Sequence, residues 1–301
     1  MMNWRRSLLI GAFALNAGNG LYADIISQAL SSLPAQTGYV EYENLTSLRK
    51  LRDYDRLRQR FSGKPLQKVR IALGQLGIRE DQVNELVVAS NPTEFYGIAA
   101  GTFREQSSKR NGIQKDSVAH ALDSQALCPA SGTCLLFLED SVAAFGTLSQ
   151  LREMVRAREG STTRLTSNST VVSLLNSTNN QAPVRGVLVG DQLETAISDV
   201  LRDWTGWNRD WSRVSASIRD FGYSVEFDKG AHLTATVKCR SATSATLLLQ
   251  MLRLLDSMQS MPIARGNADA GLPFRNLHAS LSGSTVVFRA DTQLFSNPPT
   301  R

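Results

Sequence analysis

Apolar side chains recur along this chain at two different spacings, and the switch between them marks the elements. Leu45, Leu48, Leu51, Tyr54, Leu57 and Phe61 fall three or four residues apart. That spacing predicts an amphipathic helix, which Gly63-Lys64-Pro65 ends. Leu66, Val69, Leu73 and Leu76 predict a second helix, stopped at Gly77. Short apolar runs bounded by turn residues predict strands at 39–42, 85–90, 95–103 and 142–146. A helix is expected over 148–158, ending at Gly160, and the polar stretch 104–116 reads as a loop. Farther on, Asn168 stands where it can cap a short helix through Leu175. Strands are expected at 184–189, 214–218, 222–227 and 232–238, and helices over 191–204 and 242–258. The long helix carries Leu247, Leu248, Met251, Leu252 and Leu255 on its apolar side. A last hairpin pairs 277–281 with 286–290 across Ser282-Gly283-Ser284.

The two halves share an order of elements: helix, antiparallel strands, then a helix directly after strands. This predicts an α+β fold with antiparallel sheets, helices packed on one face, and an internal duplication with units at 24–160 and 161–301. Three stretches carry a resemblance. Pro34-Ala35-Gln36-Thr37-Gly38-Tyr39 opens the folded part, Ala143-Ala144-Phe145-Gly146 leads into Leu148-Ser149-Gln150-Leu151, and Asn168 precedes a short helix. In these the chain resembles exported bacterial proteins of unknown function built on repeated α+β units, over about residues 34–295. The resemblance implies surface or periplasmic placement and no particular chemistry.

Residues 1–23 have the layout of a secretory signal or N-terminal anchor. Arg5 and Arg6 form a cationic head, 7–17 is apolar, and Gly18 to Ala23 is rich in small residues. The competing reading is the start of a first helix continuing through Leu30. Export to the periplasm, with or without an anchor in the inner membrane, changes how the cysteines are read. Cys128 and Cys134 flank Pro129-Ala130-Ser131-Gly132-Thr133, a turn-forming centre, so a hairpin closed by a disulfide is expected. Cys239 ends a strand and is expected to be a small buried hydrophobe.

Charge is concentrated in one place. The chain carries a formal +6, and from Arg49 to Arg70 nine basic residues face only Asp53 and Asp55. That window alone is +7, so the rest of the chain is close to neutral. Arg49, Arg52, Arg56, Arg58, Arg60 and Lys64 would form a basic face opposite the apolar stripe. Such a face suits an anionic membrane surface or an acidic protein partner; a solvated helix face is the plainer reading. Export and the lack of interleaved aromatics disfavour nucleic acid. Trp204, Trp207 and Trp211, spaced three then four apart, form an aromatic cluster, either core or an exposed platform.

No catalytic constellation stands out. His120, His232 and His278 have no ligand spacing, so no metal site is expected. No nucleophile elbow or phosphate-binding glycine loop is present, and no cofactor is expected. The sequence therefore predicts a non-catalytic binding protein of the envelope. A hydrolase with a site assembled from distant residues, around one of the histidines, and a structural subunit of an envelope assembly are the alternatives.

Overall fold

The computed structural model describes residues 25–52, 54, 71, 73–75, 78–90, 95–103, 126–128, 132–190, 193–194, 197, 212–228, 230–259 and 274–292. They build one antiparallel sheet of ten strands in the order β4-β5-β3-β2-β1-β6-β7-β8-β10-β9. The strands are β1 (Tyr39–Asn44), β2 (Val83–Ser90), β3 (Phe95–Gly101), β4 (Cys134–Glu139), β5 (Val142–Gly146), β6 (Val184–Val189), β7 (Ile218–Phe227), β8 (Ala231–Cys239), β9 (Phe274–Ser282) and β10 (Thr285–Thr292). Among the described residues six helices accompany them: α1 (Ile25–Ser32), α2 (Leu45–Leu48), α3 (Leu148–Glu159), α4 (Ser169–Ser177), α5 (Ser212–Ser215) and α6 (Ala242–Gln259).

From the central pair β1–β6 outward, each half runs through its strands in the same sequence. The first half gives β1-β2-β3-β5-β4 and the second β6-β7-β8-β10-β9. The halves are joined edge to edge, with Tyr39 opposite Leu188 and Glu43 opposite Val184. The fold is α+β with antiparallel strands, as expected; the two halves join in one sheet, and helices lie on both of its faces rather than on one. A strand covered on both faces buries both parities of residue, which is why the strand runs show little clean alternation.

One face is covered by α1, α3 and α4. Ile25, Ala29, Leu151, Met154, Val171 and Leu174 meet Val40, Val87, Ile98, Ala144 and Val187 there. The opposite face carries two apolar clusters. Leu45 and Leu48 of α2, with Leu73 and Ile78, pack on Leu86, Val88 and Phe145. Ala245, Leu248, Leu252 and Leu255 of α6 pack on Leu233, Val237, Val286 and Phe288. Tyr39 touches both clusters, so they lie on the same side of the sheet.

Local chemistry sets the ends. The Thr147 side chain accepts from the Gln150 backbone and the Gln150 side chain accepts from the Thr147 N–H, a capping box that starts α3. Gly160 ends that helix at φ 82°, a left-handed conformation that glycine adopts without a Cβ penalty. Asn168 caps α4 through Val171 N–H, and its amide donates to Ala35 O at 3.1 Å. The cap thereby ties the turn after α1 to the second half of the chain.

Two expected elements differ. Strands at 214–218 and 222–227 are one strand, Ile218–Phe227, preceded by the helical turn α5. Gly222 is not a break: it lies within the strand, and a Cβ there would meet Leu174 Cδ2 and Thr178 Cγ2 of the overlying segment at 3.5 and 3.7 Å, ordinary van der Waals contact. The stripe from Leu45 to Phe61 begins as helix, but α2 ends at Leu48 and the chain turns through Arg49 and Lys50; the later part of the stripe lies outside the described residues, apart from Tyr54.

Candidate functional site

Where the halves join, the centre of the sheet is polar on both faces. Residues of equal parity on β1 share a side, so Tyr39, Glu41 and Glu43 face the α2/α6 side while Val40 and Tyr42 face the other. Glu41 stands directly opposite Gly186 of β6, and Gly186 stands opposite Tyr223 of β7. A Cβ on Gly186 would lie 2.7 Å from Cε1, Cζ and Oη of Tyr223. The missing side chain is what lets the Tyr223 ring cross β6 and donate its hydroxyl to Glu41 Oε2. The Tyr39 hydroxyl also donates to Glu41. Burial pushes the Glu41 carboxyl up to about 7, against the Tyr39 hydrogen bond, which pulls it down. Burial first, then the neighbouring Glu41 charge, holds the Tyr39 phenol well above its ordinary value.

On the other face of the same seam the Tyr42 hydroxyl donates to Glu85 Oε1 at 2.6 Å, and the Arg185 guanidinium lies 5.2 Å from the Tyr42 ring centre. Burial, then Glu85, raises the Tyr42 phenol. Arg185 Nε is buried with no hydrogen-bond partner among the described residues; its guanidinium face on the ring is a cation–π contact that offsets part of this cost.

The basic window starts from a fixed point. Arg49 donates Nη1 to Glu80 O at 2.6 Å and Nη2 to Val83 O at 2.7 Å. Its fork is committed to the backbone and fastens α2 to the 3-10 turn Glu80–Gln82. Arg52 is exposed. Arg56, Arg58, Arg60 and Lys64 lie outside the described residues, as do Trp204, Trp207, Trp211 and His120. Both flanks of the window are described, and both are held on the α2 side of the sheet by Leu45, Leu48, Leu73 and Ile78.

Cys128 and Cys134 form a disulfide. Leu127 and Leu135 exchange two backbone hydrogen bonds of 2.8 Å, the hairpin-like closure expected from the sequence. The bond closes a loop with a sequence separation of 6, which stabilises by about 2 kcal/mol on loop-entropy grounds. The double change Cys128→Ser/Cys134→Ser should lower stability by that amount. Dithiothreitol should then shift the melting temperature of the parent chain and leave the variant unmoved. Cys239 is free and buried, and burial raises its thiol.

His232 and Asp291, on neighbouring strands, come together: His232 Nδ1 lies 2.7 Å from Asp291 Oδ1 and Nε2 2.8 Å from Asp228 O. Asn276 Nδ2 donates to the other Asp291 oxygen. The Asp291 bond, then the Asp228 carbonyl, raises the imidazole above its usual value. Both ring nitrogens are engaged, so the geometry describes a cross-strand pin and leaves no nitrogen to activate a nucleophile. His278 is exposed on β9. Among the described residues no group of three or more His, Cys, Asp or Glu side chains could hold a metal ion, and no helix is long and apolar enough to cross a membrane. The disulfide is compatible with an extracytoplasmic location.

The seam was not legible as a site. Tyr39-Val40-Glu41-Tyr42-Glu43 has the alternation of a half-exposed strand, and Glu41 looks solvated until the second helical layer is known. Gly186, inside Val184–Val189, was the available signal: an isolated glycine in a strand marks a close approach.

No protein-family model matches the sequence, and no characterised protein matches it in sequence. Among solved structures, crystal form III of TP0453 superposes with a TM-score of 0.50 at 9% identity, over 88% of this chain and 93% of that one. The chain is similar in fold to TP0453. Crystal forms I and IV give TM-scores of 0.46 and 0.47. At this identity the likeness concerns the fold alone.

Proposed function

We propose that this protein is an exported, non-catalytic envelope protein built from two duplicated α+β units, and that the window from Arg49 to Arg70 contacts an anionic membrane surface. One observation carries the reading. The window is anchored at both flanks on the α2/α6 side of the sheet, and the exposed large aliphatics belong to that same side. Ile71, beside the window, is 61% exposed; Leu247 and Leu254, on the outer side of α6, are 61% and 57% exposed. Cationic groups for headgroups and projecting aliphatics for the acyl boundary are the two requirements of an interfacial surface. The disulfide and the signal-like N-terminal segment support placement outside the reducing cytosol.

The test is co-sedimentation with vesicles of phosphatidylcholine alone and with added phosphatidylglycerol. Binding is expected with the anionic vesicles at low salt and release at high salt. A surface-apposed Lys or Arg contributes about 1 kcal/mol, so Arg56→Gln/Arg58→Gln/Arg60→Gln should weaken binding by about 100-fold. Equal binding by the triple variant, or no binding to either vesicle, would overturn the proposal.

A further inference from the structure

The two edges of the sheet are not equivalent. At β4 the outward N–H and C=O of Leu135 are taken by Leu127, the Cys128–Cys134 disulfide fastens that contact, and the strand ends in a register shift beside Glu139 and Asp140. Bulges and charges of this kind close an edge to further pairing. At the other end β9 is the outermost strand. Its irregularity is confined to its start, where Asn276 has φ 51° and the register shifts between Arg289 and Asp291. From Leu277 to Ser282 the strand contains no Lys, Arg, Asp, Glu or Pro.

The direction of its backbone groups follows from the ladder. Ser284 O accepts from Cys239 N–H. Hydrogen bonding alternates sides along a strand, so Ser284, Val286, Phe288 and Ala290 bond toward β8 and Thr285, Val287 and Arg289 toward β9. Their partners Ser282, Ser280 and His278 therefore spend their backbone groups inward. Leu277, Ala279 and Leu281 turn theirs outward; there the Leu277 N–H donates to Asp256 Oδ1 of α6 at 3.3 Å, and the groups of Ala279 and Leu281 have no partner among the described residues. The helix α6 packs chiefly on β9 and reaches β10 and β8, so it covers one face of the edge strand, while Ser280, Leu281 and Ser282 are exposed.

We infer that β9 pairs antiparallel with β9 of a second copy of this chain. The register is self-complementary. With Ala279 opposite its own mate, Leu277 meets the mate's Leu281 and His278 meets the mate's Ser280, so no like charges are opposed. With the Leu277 N–H of each copy held by Asp256, the outward groups make about four backbone hydrogen bonds. Leu281, 38% exposed in one chain, gains a cross-strand cover in Leu277, which is on the same side of the sheet. A chain with one open and one closed edge gives a closed twofold dimer, not a fibre.

The experiment is sedimentation equilibrium of the folded chain with its disulfide intact, beside Leu281→Pro and Leu281→Lys. The proline removes an N–H that β10 does not use, so the edge strand is kept while its outer pairing is lost; the lysine places a charge where two chains meet. A wild-type dimer is expected, with each variant raising the dimer Kd by at least about tenfold at unchanged far-ultraviolet circular dichroism. Amide exchange at Ala279 should slow as protein concentration rises. Lysine alone decides the matter if the proline variant fails to fold. A wild-type chain that stays monomeric at tens of micromolar overturns the inference, as does a dimer indifferent to a folded Leu281 variant.

Discussion

Gly186→Ala is expected to cost about 3 kcal/mol, the largest loss from so small a change in this fold. The added methyl would sit 2.7 Å from three atoms of the Tyr223 ring, where no relaxed contact exists. Backbone strain is not the cause, because Gly186 has no left-handed φ. Either β6 moves away from β7, loosening the ladder in which Gly186 faces Tyr223, or the ring swings out and Glu41 loses a donor. Above pH 7, where Glu41 is ionised, losing one hydrogen bond to this charged acceptor costs about 2 kcal/mol, so Tyr223→Phe should show that part alone. For a chain of this size the Gly186→Ala loss corresponds to a fall in melting temperature of roughly 6–10 °C. The double change Gly186→Ala/Tyr223→Ala separates the causes. With the ring gone the methyl meets nothing at 2.7 Å, and adding it to a Tyr223→Ala background should cost well under 1 kcal/mol. Additive losses in urea denaturation would show that Gly186 is needed for something other than passage of that ring.

The same cluster shows what sequence can and cannot reveal here. Elements whose signals are local were legible. The helix from Leu148 has its capping box and terminal Gly160, the β9–β10 hairpin has Gly283 in its turn, and the pair Cys128/Cys134 closes across turn chemistry. The union of ten strands into one sheet was not legible, because the β1–β6 ladder joins residues about 140 apart and no residue at either strand announces its partner. With the sheet misjudged, the burial of Glu41 followed: a helical layer on the α2/α6 side turns an apparently outward acid into a covered one. The setting of Arg49 was hidden for a similar reason. A guanidinium in a basic run looks like part of a charged surface until the carbonyls of Glu80 and Val83, some thirty residues away in the chain, come within 2.6 and 2.7 Å of it.

Replacing Glu41 by Gln should change how stability depends on pH more than it changes stability at any one pH. In the unfolded chain this carboxyl titrates near the ordinary value of about 4.3, and in the fold burial carries it to about 7. Below the lower value both states hold the proton and Glu41 contributes no slope. Between the two the folded state keeps a proton that the unfolded state has released, so stability falls as pH rises. Above pH 7 the carboxylate is ionised in both states and the loss is complete, at most about 4 kcal/mol and nearer 2 for a group with partial access to solvent. The hydroxyls of Tyr39 and Tyr223 reduce that loss without removing it, because two donors replace only part of the water a carboxylate gives up. Urea midpoints of the parent chain should therefore decline from pH 4.5 to pH 7.5 relative to Glu41→Gln, whose amide does not titrate. His232 declines with rising pH in the same sense, its imidazole being raised by Asp291, but it is present in both proteins and cancels in the difference. Parallel curves would mean that Glu41 is ionised in the fold throughout, and that the neighbouring hydroxyls outweigh its burial. A converging pair would place the proton on a carboxyl at the junction of the two halves. The strength of that junction would then depend on the acidity of the compartment in which the protein resides.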